Sequence, residues 1–115
     1  MLRSGPAARL TVHLSSTALW HHKPAYTEVV HRAHRFGLAG ATVVHGVQGF
    51  GIHLRIHDTR TARLNHHAPC AVFVIDEEAR IRAFLSTLDD ILAVTGVATV
   101  DRVEVYRPGA RTRFG

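Results

Sequence analysis

The amino-acid sequence predicts an α+β fold in which a four-stranded antiparallel sheet carries two helices on one face. Three patterns support this prediction. Polar and apolar residues alternate over residues 9–14, an unbroken apolar run covers residues 70–75, and two longer segments repeat apolar residues at helical spacing. The resulting element order, βαββαβ, is that of the ferredoxin-like fold.

The first half of the chain is expected to supply a strand, a helix and a second strand. Residues 1–8 show no periodicity and are interpreted as a flexible N-terminus. The alternation over residues 9–14 predicts a strand with one buried face. A helix is expected to begin at Pro24, whose missing N–H costs nothing in a first turn, and to end at Gly37. Residues 41–44 form the second predicted strand.

A long loop and a second strand–helix–strand unit follow. Residues 46–69 are rich in histidine and arginine and are broken by glycines, and the alternation around Leu54 predicts an extended arm within them. Residues 70–75 are apolar throughout, as in a strand covered on both faces. Asp76 is the expected N-cap of a helix that runs to Thr95. The last strand and a basic tail are assigned to residues 97–107 and 108–115.

Two neighbouring carboxylates, Asp89 and Asp90, fall in the last turn of this second predicted helix. Negative charge is unfavourable there because the C-terminal end of a helix already carries partial negative charge. Pairing with Arg102 or with another subunit is the expected compensation.

Length and composition indicate one folded domain, residues 9–107, of a cytoplasmic protein. Of the 115 residues, 46% are hydrophobic and 20% are charged, which is ordinary for a folded domain and argues against disorder. No apolar run approaches the roughly 20 residues of a membrane helix, and no apolar signal-peptide core is present. Cys70 is the one cysteine and is expected to be a small core residue. The formal charge of +5 favours phosphate-bearing partners such as nucleotides, nucleic acids or anionic lipids.

Both faces of the predicted sheet carry apolar side chains, although two helices can cover only one of them. In the third strand, Val72 and Val74 point away from Phe73, and in the second strand Val44 points away from Val43. One face must therefore be covered from outside the monomer, and self-association is the simplest solution. We expect Val44, Val72 and Val74 to be buried by neighbouring subunits.

The most informative motif covers residues 37–51, where a helix-stopping glycine leads into a β-branched strand and then into a Gly-Phe-Gly turn. Glycines on both sides of Phe50 leave backbone N–H groups accessible to an anion. The stretch resembles the segment that enters the T-loop of PII signal-transduction proteins. It is more similar still to the PII-like family of uncharacterised proteins (domain of unknown function 190), whose turn has the form Gly-x-x-Gly-Phe-Gly. Further matches to that family, in the same order, fall at residues 22–26, 56–57, 69, 75–76 and 101–105.

The resemblance implies a homotrimer whose sheets face the threefold centre, with a nucleotide or another small anion in the cleft between subunits. It also implies a sensor or regulatory protein, not an enzyme, whose 46–69 loop controls a partner such as a membrane transport protein. In the basic loop, His53 and Arg55 could bind phosphate. At the end of the last strand, Arg107 resembles the late arginines that contact phosphate in PII. The candidate ligand-binding residues are Gly40, Thr42, Gly46, Gly49, Phe50, Gly51, His53, Arg55 and Arg107.

One departure from the PII pattern bears on the ligand. PII proteins have a Gly-x-Gly-Lys phosphate loop after the second helix, whereas residues 95–100 of this chain contain a single glycine and no lysine. A phosphate cradle needs close backbone approach and positive charge, so ATP is not expected to bind in the PII manner. AMP, ADP, a cyclic nucleotide and a non-nucleotide anion all remain candidate ligands, and no cofactor is assigned.

A second hypothesis is a trimeric metal-binding protein of the copper-tolerance type, because the chain has ten histidines. His31 and His34 have helical spacing, but no HExxH motif is present and no carboxylate or cysteine completes a cluster. Nucleic-acid binding is disfavoured, since the sequence has no aromatic platform or recognition helix, and Trp20 is expected to pack on its own domain. Ser15 and Ser16 have no base placed by a motif, so nucleophilic catalysis is not expected.

Overall fold

The fold is built on a four-stranded antiparallel sheet, in a computed structural model that describes residues 2–47, 49–51, 54–57 and 68–109. In chain order the elements are β1 (Gly5–Ser15), β2 (Leu19–Trp20), β3 (Lys23–Pro24), α1 (Ala25–Phe36), β4 (Ala41–His45), β5 (Gly49–Gly51), β6 (Leu54–His57), β7 (Pro69–Asp76), α2 (Glu78–Leu85), a 3-10 turn (Ser86–Leu88), α3 (Asp89–Thr95) and β8 (Gly96–Val105). The strand order in the sheet is β4–β7–β1–β8, with every neighbouring pair antiparallel. The predicted α+β fold is confirmed.

The core lies between the helices and one face of β1 and β7. Leu10 pairs with Val74 and Val12 pairs with Val72, and all four side chains are at most 1% exposed. On the helical side, the core is formed by apolar residues of α1 and of the segment from α2 through the 3-10 turn to α3. These include Val29, Ala33, Ile81, Phe84, Leu88 and Ile91.

The prediction that Val72 and Val74 are buried by neighbouring subunits is therefore wrong. Both side chains are fully buried within a single chain. An apolar run such as residues 70–75 does not reveal which of its two faces meets the helices, because both faces look alike in the sequence. The pairing with β1 decides it, since Leu10 and Val12 mark the buried face of that strand.

No helix among the described residues covers the opposite face of the sheet. Val44 lies on this face, as predicted, and is 48% exposed, and Val97 at the other edge is 39% exposed. Arg9 lies on the same face and makes a two-pronged ion pair with Asp101, at 2.9 and 3.1 Å. Other residues on this open face include Ala7, Thr11, His13, Thr42, Ala71, Phe73, Ile75, Thr99 and Val103.

Strand β1 begins four residues earlier than the alternation indicates. Residues 5–8, assigned to a flexible lead-in, pair with β8, and Gly5 is opposite Val105. The segment Gly-Pro-Ala-Ala has no polar–apolar alternation of its own, so only the partner strand reveals it. Ala7 and Ala8 are 3% and 0% exposed.

The second predicted helix is divided into α2, the 3-10 turn and α3. The hydroxyls of Ser86 and Thr87 donate to the carbonyls of Ala83 and Phe84, at 2.8 and 2.7 Å, and such local bonds compete with the regular helical ladder.

This division corrects the interpretation of Asp89 and Asp90. They lie in the first turn of α3, where the helix dipole favours negative charge, and not in a last turn. Asp90 pairs with Arg32, whereas Arg102 lies 3.4 Å from Glu78.

Asp76 has a different role from the predicted N-cap, because α2 begins one residue later, after Glu77. Its carboxylate accepts hydrogen bonds from the backbone N–H groups of Glu77 (2.7 Å) and Ala39 (2.9 Å). It thus ties the end of β7 to the linker between α1 and β4. Among the described residues, no helix is both long and apolar enough to cross a bilayer.

Candidate ligand-binding site

The two ends of the 46–69 segment are held together where they leave the sheet. The Gly46 N–H donates to Pro69 O at 2.8 Å, and the Ser16 N–H donates to Ala68 O at 2.8 Å. A Cβ at Gly46 would lie 2.7 Å from Pro69 Cγ, so the close approach of the two strands requires glycine here. We call Ser16, Gly46, Ala68 and Pro69 the loop root.

The Gly-Phe-Gly segment is a strand and not the predicted turn. Gly49 pairs with His57 and Gly51 pairs with Leu54, with a register shift between the two pairs. Strand β6 confirms the extended arm expected from the alternation around Leu54. Arg55 lies in this strand, next to the paired Leu54, whereas His53 lies outside the described residues.

Gly40 and Thr42 lie at the opposite end of β4 from the loop root. Thr42 is exposed on the open face and pairs with Phe73. Gly40 precedes β4, and a Cβ built there would have no atom within 4 Å. Packing therefore does not explain the glycine at this position.

Arg107 lies at the far end of the sheet from the loop root. Strand β8 starts with Gly96 opposite Leu14, beside the loop root, and ends with Val105 opposite Gly5. At about 3.4 Å per residue these ends are roughly 30 Å apart. A single chain does not bring Arg107 together with the loop root.

Gly96 lies in the stretch that the resemblance matches to the PII phosphate loop, and packing explains the glycine at this position. A Cβ at this position would lie 2.0 Å from His13 O, in the backbone of the neighbouring strand. Its φ of 174° is extended backbone that any residue adopts, so the close approach of β8 to β1 is what requires glycine. The preceding Thr95 is buried and donates to Ile91 O.

A short hairpin, β2–β3, occupies part of the segment that the sequence pattern marks only as a polar connection. Trp20 pairs with Lys23, and the two residues between them, His21 and His22, have φ of 50° and 70°. Positive φ at both central residues defines the turn that joins such hairpins and usually selects glycine or asparagine. Residues 22–26 resemble the family motif Gly-Lys-Pro-Leu-Tyr, in which glycine stands at the position of His22. That glycine is a signal in the sequence for a left-handed residue.

Trp20 packs against its own domain, as predicted. It is partly buried against the core, and its ring stacks on the His21 ring with centroids 4.6 Å apart. The guanidinium of Arg32, on α1, lies 5.6 Å from the centroid of the Trp20 ring.

The Arg32 guanidinium is used structurally and is only 16% exposed. It donates to Glu28 at 2.7 Å, to Asp90 at 2.7 and 3.1 Å, and to Thr87 O at 2.8 Å. These bonds lower the pKa of both carboxyls and raise the pKa of the guanidinium further above its usual value. The cluster joins α1 to the break between α2 and α3.

Cys70 and the two histidines on α1 differ in their exposure to solvent. Cys70 is buried, as predicted, and burial raises the pKa of its thiol to about 11, so the thiol stays protonated at neutral pH. His31 and His34 are both exposed on α1. Within the part of the chain that the structure describes, no group of three or more His, Cys, Asp or Glu residues is placed to hold a metal ion.

A cleft of about 290 Å³ lies at the end of the sheet away from the loop root. Arg80 donates to Gly37 O at 2.8 Å, and its Nε lies 3.5 Å from the Asp76 carboxylate. The two charged groups pair with each other, and Arg80 caps the end of α1. The full lining is Leu2, Gly37, Ala39, Asp76, Glu77 and Arg80.

Comparison with known proteins gives three findings. The model of the family DUF190, described as "Uncharacterized ACR, COG1993", matches residues 7–105. A UPF0166 protein from Aquifex aeolicus (strain VF5) is 32% identical over 96 residues, which cover 84% of this chain and 90% of that protein. The structure of CPII from Thiomonas intermedia K12, a nitrogen regulatory PII-like protein bound to ADP, AMP and bicarbonate, superposes with a TM-score of 0.67 at 19% identity, covering 92% of this chain and 99% of that one.

A more distant similarity is to the divalent ion tolerance protein CutA1 from Ehrlichia chaffeensis. Its TM-score is 0.54 at 7% identity, over 94% of this chain and 89% of that one, so it concerns the fold alone. The resemblance inferred from the glycine-rich stretch is confirmed by the family match, the sequence relative and the CPII fold. This chain belongs to the DUF190 family and has the fold of the PII-like proteins.

Proposed function

We propose that the protein is a homotrimeric, non-enzymatic sensor that binds a small anionic ligand between subunits and signals through residues 46–69. One observation carries this proposal. The loop root and Arg107 lie roughly 30 Å apart within one chain, at opposite ends of β8. A ligand that contacts both regions must therefore lie between two subunits.

The open face of the sheet supports self-association. It presents Val44 and Val97 to solvent at 48% and 39% exposure, together with Phe73 and Ile75 of the central strand β7. Exposed apolar side chains on a sheet face that no described helix covers are typical of a surface buried against further copies. Of the three valines expected at this interface, Val44 is the one that the proposal retains.

The ligand class is supported by charge and by the PII-like relative. The chain has a formal charge of +5, and the CPII structure contains ADP, AMP and bicarbonate. Because residues 95–100 have one glycine, already required by packing, and no lysine, the proposal favours AMP, ADP or a small anion over ATP. The candidate residues are Gly40, Thr42, Gly46, Gly49, Phe50, Gly51, His53 and Arg55 of one subunit and Arg107 of its neighbour.

The loop root offers a route from ligand to partner. Gly46 and Pro69 are in direct contact, and residues 46–69 begin and end there. An anion bound beside the loop root would favour one arrangement of the segment, and a partner protein, such as a membrane transport protein, would respond to that arrangement.

Two measurements test the proposal. Light scattering at micromolar concentration should give the mass of a trimer, and calorimetry should detect binding of at least one of ADP, AMP and bicarbonate. ATP, copper, zinc and nickel complete the calorimetry panel. A monomeric mass would contradict the proposal, and binding of a metal ion with no binding of any anion would favour the metal-binding hypothesis instead.

A further inference from the structure

The N-terminal segment is attached to the far end of β8 by three hydrogen bonds that all involve Arg107. Ser4 Oγ accepts a hydrogen bond from the Arg107 backbone N–H (2.8 Å) and donates one to Arg107 O (3.0 Å). The Arg107 guanidinium donates through Nη1 to Leu2 O (2.7 Å). Residues 2–4 thus hold both the backbone and the side chain of one arginine.

These contacts continue the sheet past its last regular pair. The β1–β8 ladder ends with Gly5 opposite Val105, and the Ser4 side chain then bonds both backbone groups of Arg107, as a partner strand would. Leu2, Ser4 and Arg107 lie outside residues 7–105, the part that matches the family model. Ser4 and Arg107 are both exposed, so core packing does not account for the contact.

We propose that Ser4 is a positioning residue that holds Arg107 ready for the anionic ligand, an inference that rests on the proposed function. A guanidinium has five N–H donors in a rigid plane, so it can donate to Leu2 O and still offer donors to a phosphate or carboxylate. Ser4 fixes the backbone of Arg107, and Leu2 O holds its guanidinium. Without these bonds, an arginine beyond a strand end would lose backbone and side-chain freedom when the ligand binds. Restraint before binding removes that cost and increases affinity.

The test measures ADP binding by the full chain and four variants. Ser4→Ala should raise the Kd for ADP about three- to tenfold, as expected for the loss of one hydrogen-bonding group. Ser4→Thr keeps the hydroxyl and should bind like the parent. Arg107→Ala should bind more weakly than Ser4→Ala, and adding Ser4→Ala to Arg107→Ala should cause no further loss.

Equal ADP affinity of the parent and Ser4→Ala would overturn the inference while leaving the proposed function intact. A further loss of affinity in the double variant would also overturn it, because Ser4 would then act independently of Arg107. If the parent binds none of ADP, AMP and bicarbonate, the proposed function fails and the positioning role fails with it. Thermal midpoints of the variants serve as the control for folding.

Discussion

At His22 the backbone takes a left-handed conformation, with φ of 70°, that costs a non-glycine residue about 1–2 kcal/mol. The side chain is exposed, whereas the neighbouring His21 stacks on Trp20. His22 therefore carries the backbone strain of the β2–β3 turn without a compensating ring contact among those the structure shows. Glycine would relieve the strain without removing the ring stack.

We expect His22→Gly to raise the free energy of unfolding by about 1 kcal/mol, measured by urea denaturation. His31→Gly is the matched control, because His31 is also exposed but lies within α1, where glycine is unfavourable. The control should be less stable than the parent. A His22→Gly protein that is destabilised as much as the control would contradict the turn geometry.

The ion pairs of Arg32 with Glu28 and Asp90 should make the free energy of unfolding depend on pH. The pKa values of Glu28 and Asp90 are lowered in the folded state, chiefly by hydrogen bonds from Arg32. Their contribution is therefore fully present above the ordinary carboxyl pKa of about 4 and is lost as the pH falls through the lower folded values. Because the Asp90 side chain is 53% exposed, solvent screening reduces its share.

Arg32→Met should flatten the loss of stability between about pH 5 and pH 3, measured by thermal unfolding across that range. Arg82→Met is the control, since it removes an exposed pair with Glu78 at 3.4 Å. Its acid profile should follow that of the parent. An Arg32→Met protein with the parent's profile would show that the cluster does not couple folding to protonation.

At the scale of elements, Gly96 links the end of α3 to the start of β8. A Cβ there would meet the backbone of β1, which cannot move without disturbing the sheet. Gly96→Ala should therefore lower the free energy of unfolding by about 2 kcal/mol or more. Gly40→Ala is the control, because a Cβ there has open space, and its free energy of unfolding should be close to that of the parent. Equal stability of the two variants in chemical denaturation would contradict a packing role for Gly96.

The elements with a clear period could be predicted from the sequence, and those set by their partners could not. Alternation identified β1, and the glycine-rich stretch led to the family. The pairing register decided that Val72 and Val74 face the helices, and local hydroxyl bonds at Ser86 and Thr87 divided the second helix. No period marks such contacts, because they depend on residues distant in sequence or on side-chain rotamers.

The candidate site could be predicted only in part for a related reason. The family resemblance supplied the positions of the candidate ligand-binding residues and of the stretch matched to the PII phosphate loop. One glycine in each of these two regions has a packing role. Gly46 accommodates Pro69 and Gly96 accommodates the backbone of His13. A glycine in the sequence does not by itself distinguish contact with a ligand from contact with another strand. The contact of Ser4 with Arg107 lies beyond the periodic part of the chain.

At the scale of the whole molecule, the proposal requires that each site be shared by two subunits. Arg107 and the residues near the loop root would then come from different chains. Defects in the two regions should therefore complement each other when they are placed in different subunits of one trimer. Arg107→Ala and Gly51→Val provide such defects, and each variant alone should form a trimer that binds ADP much more weakly than the parent.

The most direct test is calorimetric titration of ADP into trimers assembled from an equal mixture of Arg107→Ala and Gly51→Val chains, refolded together. Random assembly would pair an intact arginine with an intact loop segment at about a quarter of the sites. We predict that the mixed trimers bind ADP with close to the parent affinity at about that fraction of the parent stoichiometry. Mixed trimers without any site of parent affinity, although the parent binds ADP, would contradict a site shared between subunits.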